Sequence, residues 1–374
     1  MAIGPRDTST LALPVGWDAA ALEKHALEDG TTFATVAAML NAAVQAKATE
    51  LYADPLWASL VSYTDMPGVD EYAQSAANGF AEYTEYGRPD AARADTTGHM
   101  LPIKPYDRAL AWTWYYLRKS RMPQIEADIA DAVKDMGDLW RVRILSRLLQ
   151  RGDDSGAAKG LGSGGYSPGF ATAAASTNVD FAPPAFGGVT FTTNHEHYVS
   201  IAGGLWTADA FKDIKAELLE HGHQPPYNVI VSQTDEGTIK GLTGFTPVAE
   251  MGIQYSSSTE LAQFGPDYRA DGYNIGTISD CYVRVVRGVP QYYGFAWKPY
   301  GANSQRNPLR IRLPKGAAMP MWLVQQDPRA AGSSAYPLQY VQIFTEFGVG
   351  VGADRTNGTA RYVNNAVWAD GTPS

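Results

Sequence analysis

"MPQIEADIADAVKDMGDLWRVRILSRLLQRGDDSGAAKGLGSG", residues 122–164, carries the one long helical signal of the chain and then runs into glycine and serine. Ile125, Ile129, Val133, Met136, Trp140, Ile144 and Leu148 recur at steps of three and four. That makes one apolar stripe along a helix of about 27 residues, or roughly 40 Å. Pro123 suits the first turn, where its missing N–H costs no intrahelical bond, and Gly152 suits the stop. Glu126, Asp128, Asp131 and Asp135 precede Arg141, Arg143, Arg147 and Arg151, an order that favours the helix dipole at both ends. The pattern predicts a helix over about 124–150, with the arginines read as a solvated helix end.

Working outward, residues 17–52 read as helical and alanine-rich, with Asp29 or Thr31 as cap and a thin stripe of Phe33, Val36, Leu40 and Val44. Residues 66–117 read as a β-arm with an open tip at "GRPDAARADTTGH". In its second flank Leu110, Trp112, Trp114 and Tyr116 alternate with their neighbours at the period of a strand. A two-stranded arm is marginal alone in water, so it must lie on something. Residues 152–190 are small and glycine-rich, a loop or extended arm. "LWTADAFKDIKAELLEHG" predicts a second helix with Thr207 as cap and Gly222 as stop, followed by a short buried strand in "YNVIVSQ". "CYVRVVRGVPQYYGFAWKPY" reads as a hairpin and "LRIRLPKG" as a strand. "LQYVQIFTEFGVGVGADRTNGTARYVNNAVW" reads as a further hairpin. Gly348, Gly350 and Gly352 leave one face of its first strand bare, so something comes close there.

Composition bounds the function. The chain has 374 residues, 45% of them hydrophobic and 18% charged, enough for two or three domains with a substantial core. Gly 37, Pro 23 and Tyr 21 favour turn-connected β structure. A formal charge of -9 argues against tight gripping of nucleic acid, which takes clustered Lys and Arg, though not against lining a DNA-filled space. Cys281 is the only cysteine, so intrachain disulfides and cysteine-based zinc sites are excluded. No apolar run of about 18 residues and no secretory leader are present, and the chain reads as soluble and made in the cytosol.

The search for chemistry finds no convincing active site. "HEH" at His195–His197 and "HGH" at His221–His223 are the metal candidates, but a site needs a further ligand and no helical HExxH spacing supplies one. They read as surface or packing histidines. No G-x-S-x-G elbow occurs, and Cys281 inside an apparent strand reads as a buried, inert thiol. "GLGSGG" at 160–165 follows a helix instead of opening one and lacks the Lys-Ser/Thr pair of a phosphate loop. Asp153 with Asp154 and Asp70 with Glu71 read as solvated turns. The expectation is no enzyme, no cofactor and no metal.

The order of these segments resembles the major capsid protein of tailed phages, the Hong Kong 97-type fold shared with encapsulins. Four stretches carry the likeness: the arm at 66–103, similar to the family's E-loop; "MPQIEADIADAVKDMGDLWRVRILSRLLQ", similar to the spine helix; "TADAFKDIKAELLEHGHQPPYNVIVSQTDEG", similar to the second helix and the strand entering the axial domain; and "TEFGVGVGADRTNGTARYVNN", similar to the closing strands. The resemblance implies an α+β fold divided into an N-terminal arm (1–65), an E-loop (66–103), a peripheral domain (104–226), an axial domain (227–340), and closing strands of the peripheral domain with the tail (341–374). The long helix would brace a thin subunit across its width.

The function implied is a virion shell subunit enclosing double-stranded DNA, assembled in the host cytoplasm into hexamers and pentamers. Its partners would be further copies of itself, a separate scaffolding protein, a portal, weakly held DNA, and no membrane, with a decoration protein left open. Intersubunit contacts would fall to Tyr83, Tyr86, Arg88 and Arg93 on the E-loop and to Asp354, Arg355 and Asn357 on the closing turn. Some relatives join an E-loop lysine to a neighbour's asparagine; no lysine lies between Tyr52 and Ile103 here, which implies a noncovalent shell. About fifteen residues precede the arm, which implies no fused scaffold. An encapsulin-like nanocompartment and, from another class, a histidine-ligated metalloenzyme are the competing readings.

Overall fold

The computed structural model describes residues 22–23, 25–72, 96–101, 103–151, 170, 186–192, 195–248, 272–326 and 341–374. The outer part of the arm, with Tyr83, Tyr86, Arg88 and Arg93, and nearly all of the glycine-rich stretch after the long helix lie outside these residues. In chain order the elements are α1 (Phe33–Ala53), α2 (Pro55–Leu60), β1 (Val61–Thr64), β2 (Gly68–Tyr72), β3 (Thr96–Met100), β4 (Lys104–Leu110), α3 (Trp114–Lys119), α4 (Met122–Leu149), β5 (Tyr198–Ser200), α5 (Ala208–Glu220), β6 (Tyr227–Val231), α6 (Glu236–Lys240), β7 (Thr246–Pro247), β8 (Gly272–Ile278), β9 (Cys281–Val286), β10 (Tyr293–Trp297), β11 (Leu309–Arg312), β12 (Leu323–Gln326), β13 (Val341–Val351) and β14 (Thr359–Tyr362). None of these helices is long and apolar enough to cross a membrane.

The chain divides into two compact units, each discontinuous in sequence. The first comprises 1–57, 103–140 and 313–347; the second comprises 58–102, 141–312 and 348–374.

In the first unit α1 is capped by Thr32, which has extended backbone angles and accepts from Thr35 N at 3.3 Å. This corrects the expectation of Asp29 or Thr31. Asp29 instead accepts from Thr31 N and, through its other oxygen, from Met122 N at 2.7 Å, so it caps the start of α4. The stripe of Phe33, Val36, Leu40 and Val44 is buried as expected, widened by Ala37, Ala38 and Ala48. The strand expected through Leu110–Tyr116 ends at Leu110, and α3 begins at Trp114. Thr113 decides this, because its hydroxyl accepts from Tyr116 N at 3.2 Å and closes a helical turn that Arg118 and Lys119 favour at the far end. Residues Val341–Phe347 of β13 pair with β4, and Val341–Phe344 also pair with β12 on the other side, antiparallel to both. Trp140 packs its ring against Tyr52 and Phe347 with centroids 5.6 and 5.4 Å apart.

In the second unit seven strands form one sheet in the order β5-β14-β10-β6-β9-β8-β7. Neither expected hairpin forms. β9 and β10 are separated by β6, which is parallel to β9 and antiparallel to β10. β6 has Val229, Ile230 and Val231 buried, the apolar run of a strand covered on both faces, and so takes the central place. β13 and β14 belong to different sheets: β14 pairs with β10 and β5, while Gly348–Val351 of β13 pair with β11. The bare glycine face does meet something, since a Cβ on Gly352 would lie 2.7 Å from the Asn307 carbonyl oxygen. β1 is parallel to β11, and β2 and β3 form a two-stranded antiparallel ladder.

The long helix is α4, 28 residues, with Ile125, Ile129, Met136, Trp140, Ile144 and Leu148 buried as the stripe requires. Its arginines correct the reading of a solvated end. Arg141 and Arg147 are buried, and Arg151 pairs with Glu196 at 2.5 Å, so only Arg143 of the four is exposed.

Candidate functional site

The second unit gathers polar chemistry at the C-terminal end of α5. Thr207 caps that helix by accepting from Ala210 N at 3.2 Å, and Phe211, Ile214 and Leu218 enter the core. The helix stops at Gly222, whose φ of +82° a side chain would resist. The N–H of Gly222 bonds to Leu219 O and that of His223 to Leu218 O at 3.1 Å, the paired closure that left-handed glycine permits. The stop fixes the direction of Glu220 and His221.

Against this end lies the segment leading into β5. His197 is held by β14, because Ala360 N donates to its carbonyl at 2.8 Å and its Nδ1 donates to the Gly358 carbonyl at 2.7 Å. His195, His197 and His221 then converge. Their Nε2 atoms are 3.1 Å (195–197), 2.9 Å (195–221) and 3.0 Å (197–221) apart. Glu220 Oε1 lies 3.2 Å from His195 Nε2 and 3.7 Å from His221 Nε2. His197 and His221 are buried, whereas the side chains of His195 and Glu220 are 20% and 40% exposed. Phe191 covers the group, its ring centroid 4.2 Å from that of His221.

Burial sets the electrostatics. It pushes His221 down to about 3, with the neighbouring His195 adding to the effect. It holds His197 well below the usual imidazole range, helped by the other two rings, and lowers His195. Burial and the Glu217 carboxylate raise Glu220. Beside the cluster the fully buried Arg361 pairs with Glu217 at 2.7 Å, and Thr359 Oγ1 donates to the other Glu217 oxygen at 2.6 Å.

The sequence reading noticed both histidine pairs but not their meeting. The further ligands, Glu220 and His221, lie 23 and 24 residues downstream of His197, at the end of α5, a separation that no fixed motif spacing encodes. The available signal was composition: six histidines in the chain, four of them in two pairs, the second immediately preceded by Glu220. His223 belongs to a separate contact, 2.8 Å from Tyr300 Oη and 3.0 Å from Thr356 Oγ1.

The closing-turn candidates take different positions. Asn357 is fully buried and its amide is used within the chain: Nδ2 donates to Lys298 O (2.9 Å) and Arg306 O (2.7 Å), and Oδ1 accepts from Lys298 N (2.8 Å). Arg355 is buried. Asp354 is partly exposed, accepts from Thr356 Oγ1 at 2.8 Å and lies 3.3 Å from Arg306 Nε. Cys281 is buried at the start of β9, and burial followed by the charge of Asp280 pushes its thiol up to about 12. Iodoacetamide is therefore expected to leave the folded chain unmodified and to label Cys281 once urea unfolds it. Rapid labelling of the folded chain, read by mass spectrometry, would contradict that burial.

No protein-family model and no curated protein sequence matches the chain. Solved structures do. One described as "Mycobacterium phage Patience" is 17% identical, with a TM-score of 0.61 over 92% of this chain and 92% of that one. The asymmetric unit of the bacteriophage PhiM1 mature capsid is 11% identical, with a TM-score of 0.47 over 82% of this chain and 86% of that one. The capsid of an empty GTA particle is 14% identical, with a TM-score of 0.45 over 83% and 89%. The breadth of the first match, across both units, gives the chain the α+β fold of Hong Kong 97 type that the order of its segments resembles.

Proposed function

We propose that the chain is a major capsid protein, a structural subunit that assembles with copies of itself into the icosahedral shell of a tailed-phage virion. The observation that carries this reading is a fold likeness spanning 92% of the chain to a structure from a mycobacterial phage. The arm supports it physically. β2 and β3 pair only with each other among the described residues, and such a ladder needs another surface to be stable. Met319, Met321 and Leu323 are also exposed in alternation with buried Trp322 and Val324, an apolar edge suited to a subunit contact.

In this reading residues 66–103 act as the E-loop, with Tyr83, Tyr86, Arg88 and Arg93 reaching a neighbouring subunit. The closing turn offers a neighbour its Asp354 carboxylate. Asn357 sets the turn's shape from inside, and Arg355 is buried with it. The role is structural and noncatalytic, the shell is noncovalent, assembly takes place in the host cytoplasm, and a scaffolding protein, a portal and packaged DNA are its partners.

Coexpression with a scaffolding protein, followed by negative-stain microscopy, tests the proposal: closed shells are expected, and a lasting compact monomer would overturn it. Replacing residues 74–94 with a short glycine-serine turn, which leaves β2 and β3 intact, is expected to give soluble subunits that rarely close into shells. Normal yields of equally stable shells from that variant would remove the arm's assigned role.

A further inference from the structure

We propose that His195, His197, His221 and Glu220 hold one divalent transition cation per chain, zinc by its donor set, in a closed structural site that ties the segment before β5 to the end of α5. The inference goes beyond the shell reading and stands on the second unit alone.

Proton placement makes the first argument. The Gly358 carbonyl at 2.7 Å takes the Nδ1 hydrogen of His197, so the neutral ring presents a lone pair at Nε2. Three nitrogens spaced at 2.9–3.1 Å form a triangle whose every edge needs one hydrogen and one lone pair. If His195 and His221 both donate to His197, two hydrogens oppose each other across their own 2.9 Å edge. If either turns its lone pair inward, that pair opposes the one on His197. At least one edge is repulsive in every arrangement of neutral rings. A cation facing three lone pairs removes the conflict.

The spacing makes the second argument. Zinc–nitrogen bonds of about 2.0–2.1 Å place tetrahedral ligand atoms about 3.3 Å apart. The observed separations fall within a few tenths of an ångström of that value. An ion at bonding distance from all three nitrogens would sit only about 1 Å off their plane. Glu220 Oε1, 3.2 Å from His195 Nε2 and 3.7 Å from His221 Nε2, is the fourth ligand atom within reach; all four lie within 4.8 Å of one another, and a turn of this half-exposed side chain toward the three nitrogens would bring the carboxylate to the fourth corner.

The surroundings make the third. The bond from His197 Nδ1 to a carbonyl is the outer contact that orients a metal-binding imidazole. Three imidazoles with one carboxylate suit zinc, whereas calcium and magnesium take oxygen ligands. Four protein ligands leave no open position for substrate water, so the site is structural. Its natural role is to fasten the segment before β5 onto the end of α5.

The test uses the full chain without a histidine tag, grown with added zinc. Elemental mass spectrometry should find one zinc per chain. After chelation, cobalt(II) should restore a visible spectrum of tetrahedral type, and zinc should raise the melting temperature by about 5 °C at concentrations about a hundredfold above its dissociation constant. Glu220→Gln, at a half-exposed position that should still fold, and His195→Ala should each weaken zinc binding about tenfold or more and lose most of the thermal shift. A folded wild-type chain with far less than one zinc, unmoved by zinc or cobalt, would overturn the proposal and identify a packed histidine cluster only. Soluble subunits serve for every measurement, so failure to assemble would sink the shell reading and leave this one standing.

Discussion

Replacing Trp140 by alanine is expected to destabilise the chain by about 3–5 kcal/mol, the range for removing a large aromatic side chain from a closed core. Trp140 is fully buried, and its ring sits against Tyr52 and Phe347, with the Trp322 ring centroid in turn 6.5 Å from that of Phe347. Aromatic neighbours with few rotamers cannot collapse into the gap, so the cavity term adds to the lost transfer energy. Trp140→Phe should cost clearly less. The indole Nε1 has no hydrogen-bond partner among the described residues, so phenylalanine removes a buried donor that is already unsatisfied and gives up only volume. Urea denaturation followed by circular dichroism separates the two variants. Equal losses would mean that the indole nitrogen, not the ring volume, supplies the stabilisation, against the packing described here.

Trp140 also shows why the long helix could be read without a structure. A stripe at steps of three and four over about seven turns has one physical solution, and Ile125 through Leu148 occupy it. Single-residue stops were equally readable, because Thr207 and Gly222 act through their own hydroxyl and backbone. Pairing between strands was not readable in that way. β9 and β10 look like a hairpin because they are close in sequence, but the strand that separates them in space, β6, lies some fifty residues earlier. The alternation from Leu110 to Tyr116 failed for a similar reason: Thr113 closes a turn with one hydrogen bond, which a period-of-two count does not weigh. Arg141 and Arg147 carry charge that marks surface in most helices, and only the second unit's packing places them inside. The histidine cluster shows the same limit. His197 is positioned by Gly358 and Ala360, and those residues reach it only because β14 runs parallel to β5.

That same strand supplies the other large effect. Arg361→Met is expected to cost about 3–5 kcal/mol, because the change leaves the Glu217 carboxylate, only 20% exposed, without its cation. Arg361 is 0% exposed, its Nη2 is 2.7 Å from Glu217 Oε1, and its Nη1 donates to Thr359 Oγ1 at 2.7 Å. The pair is not fully satisfied, since Arg361 Nε has no hydrogen-bond partner among the described residues. The attraction therefore offsets a desolvation cost that an apolar pair would not incur. The double variant Arg361→Met with Glu217→Leu should accordingly recover most of the loss and approach the wild-type stability. A double variant no more stable than Arg361→Met alone would show that the guanidinium stabilises the sheet through its contacts with β14, and that Glu217 is a bystander to it.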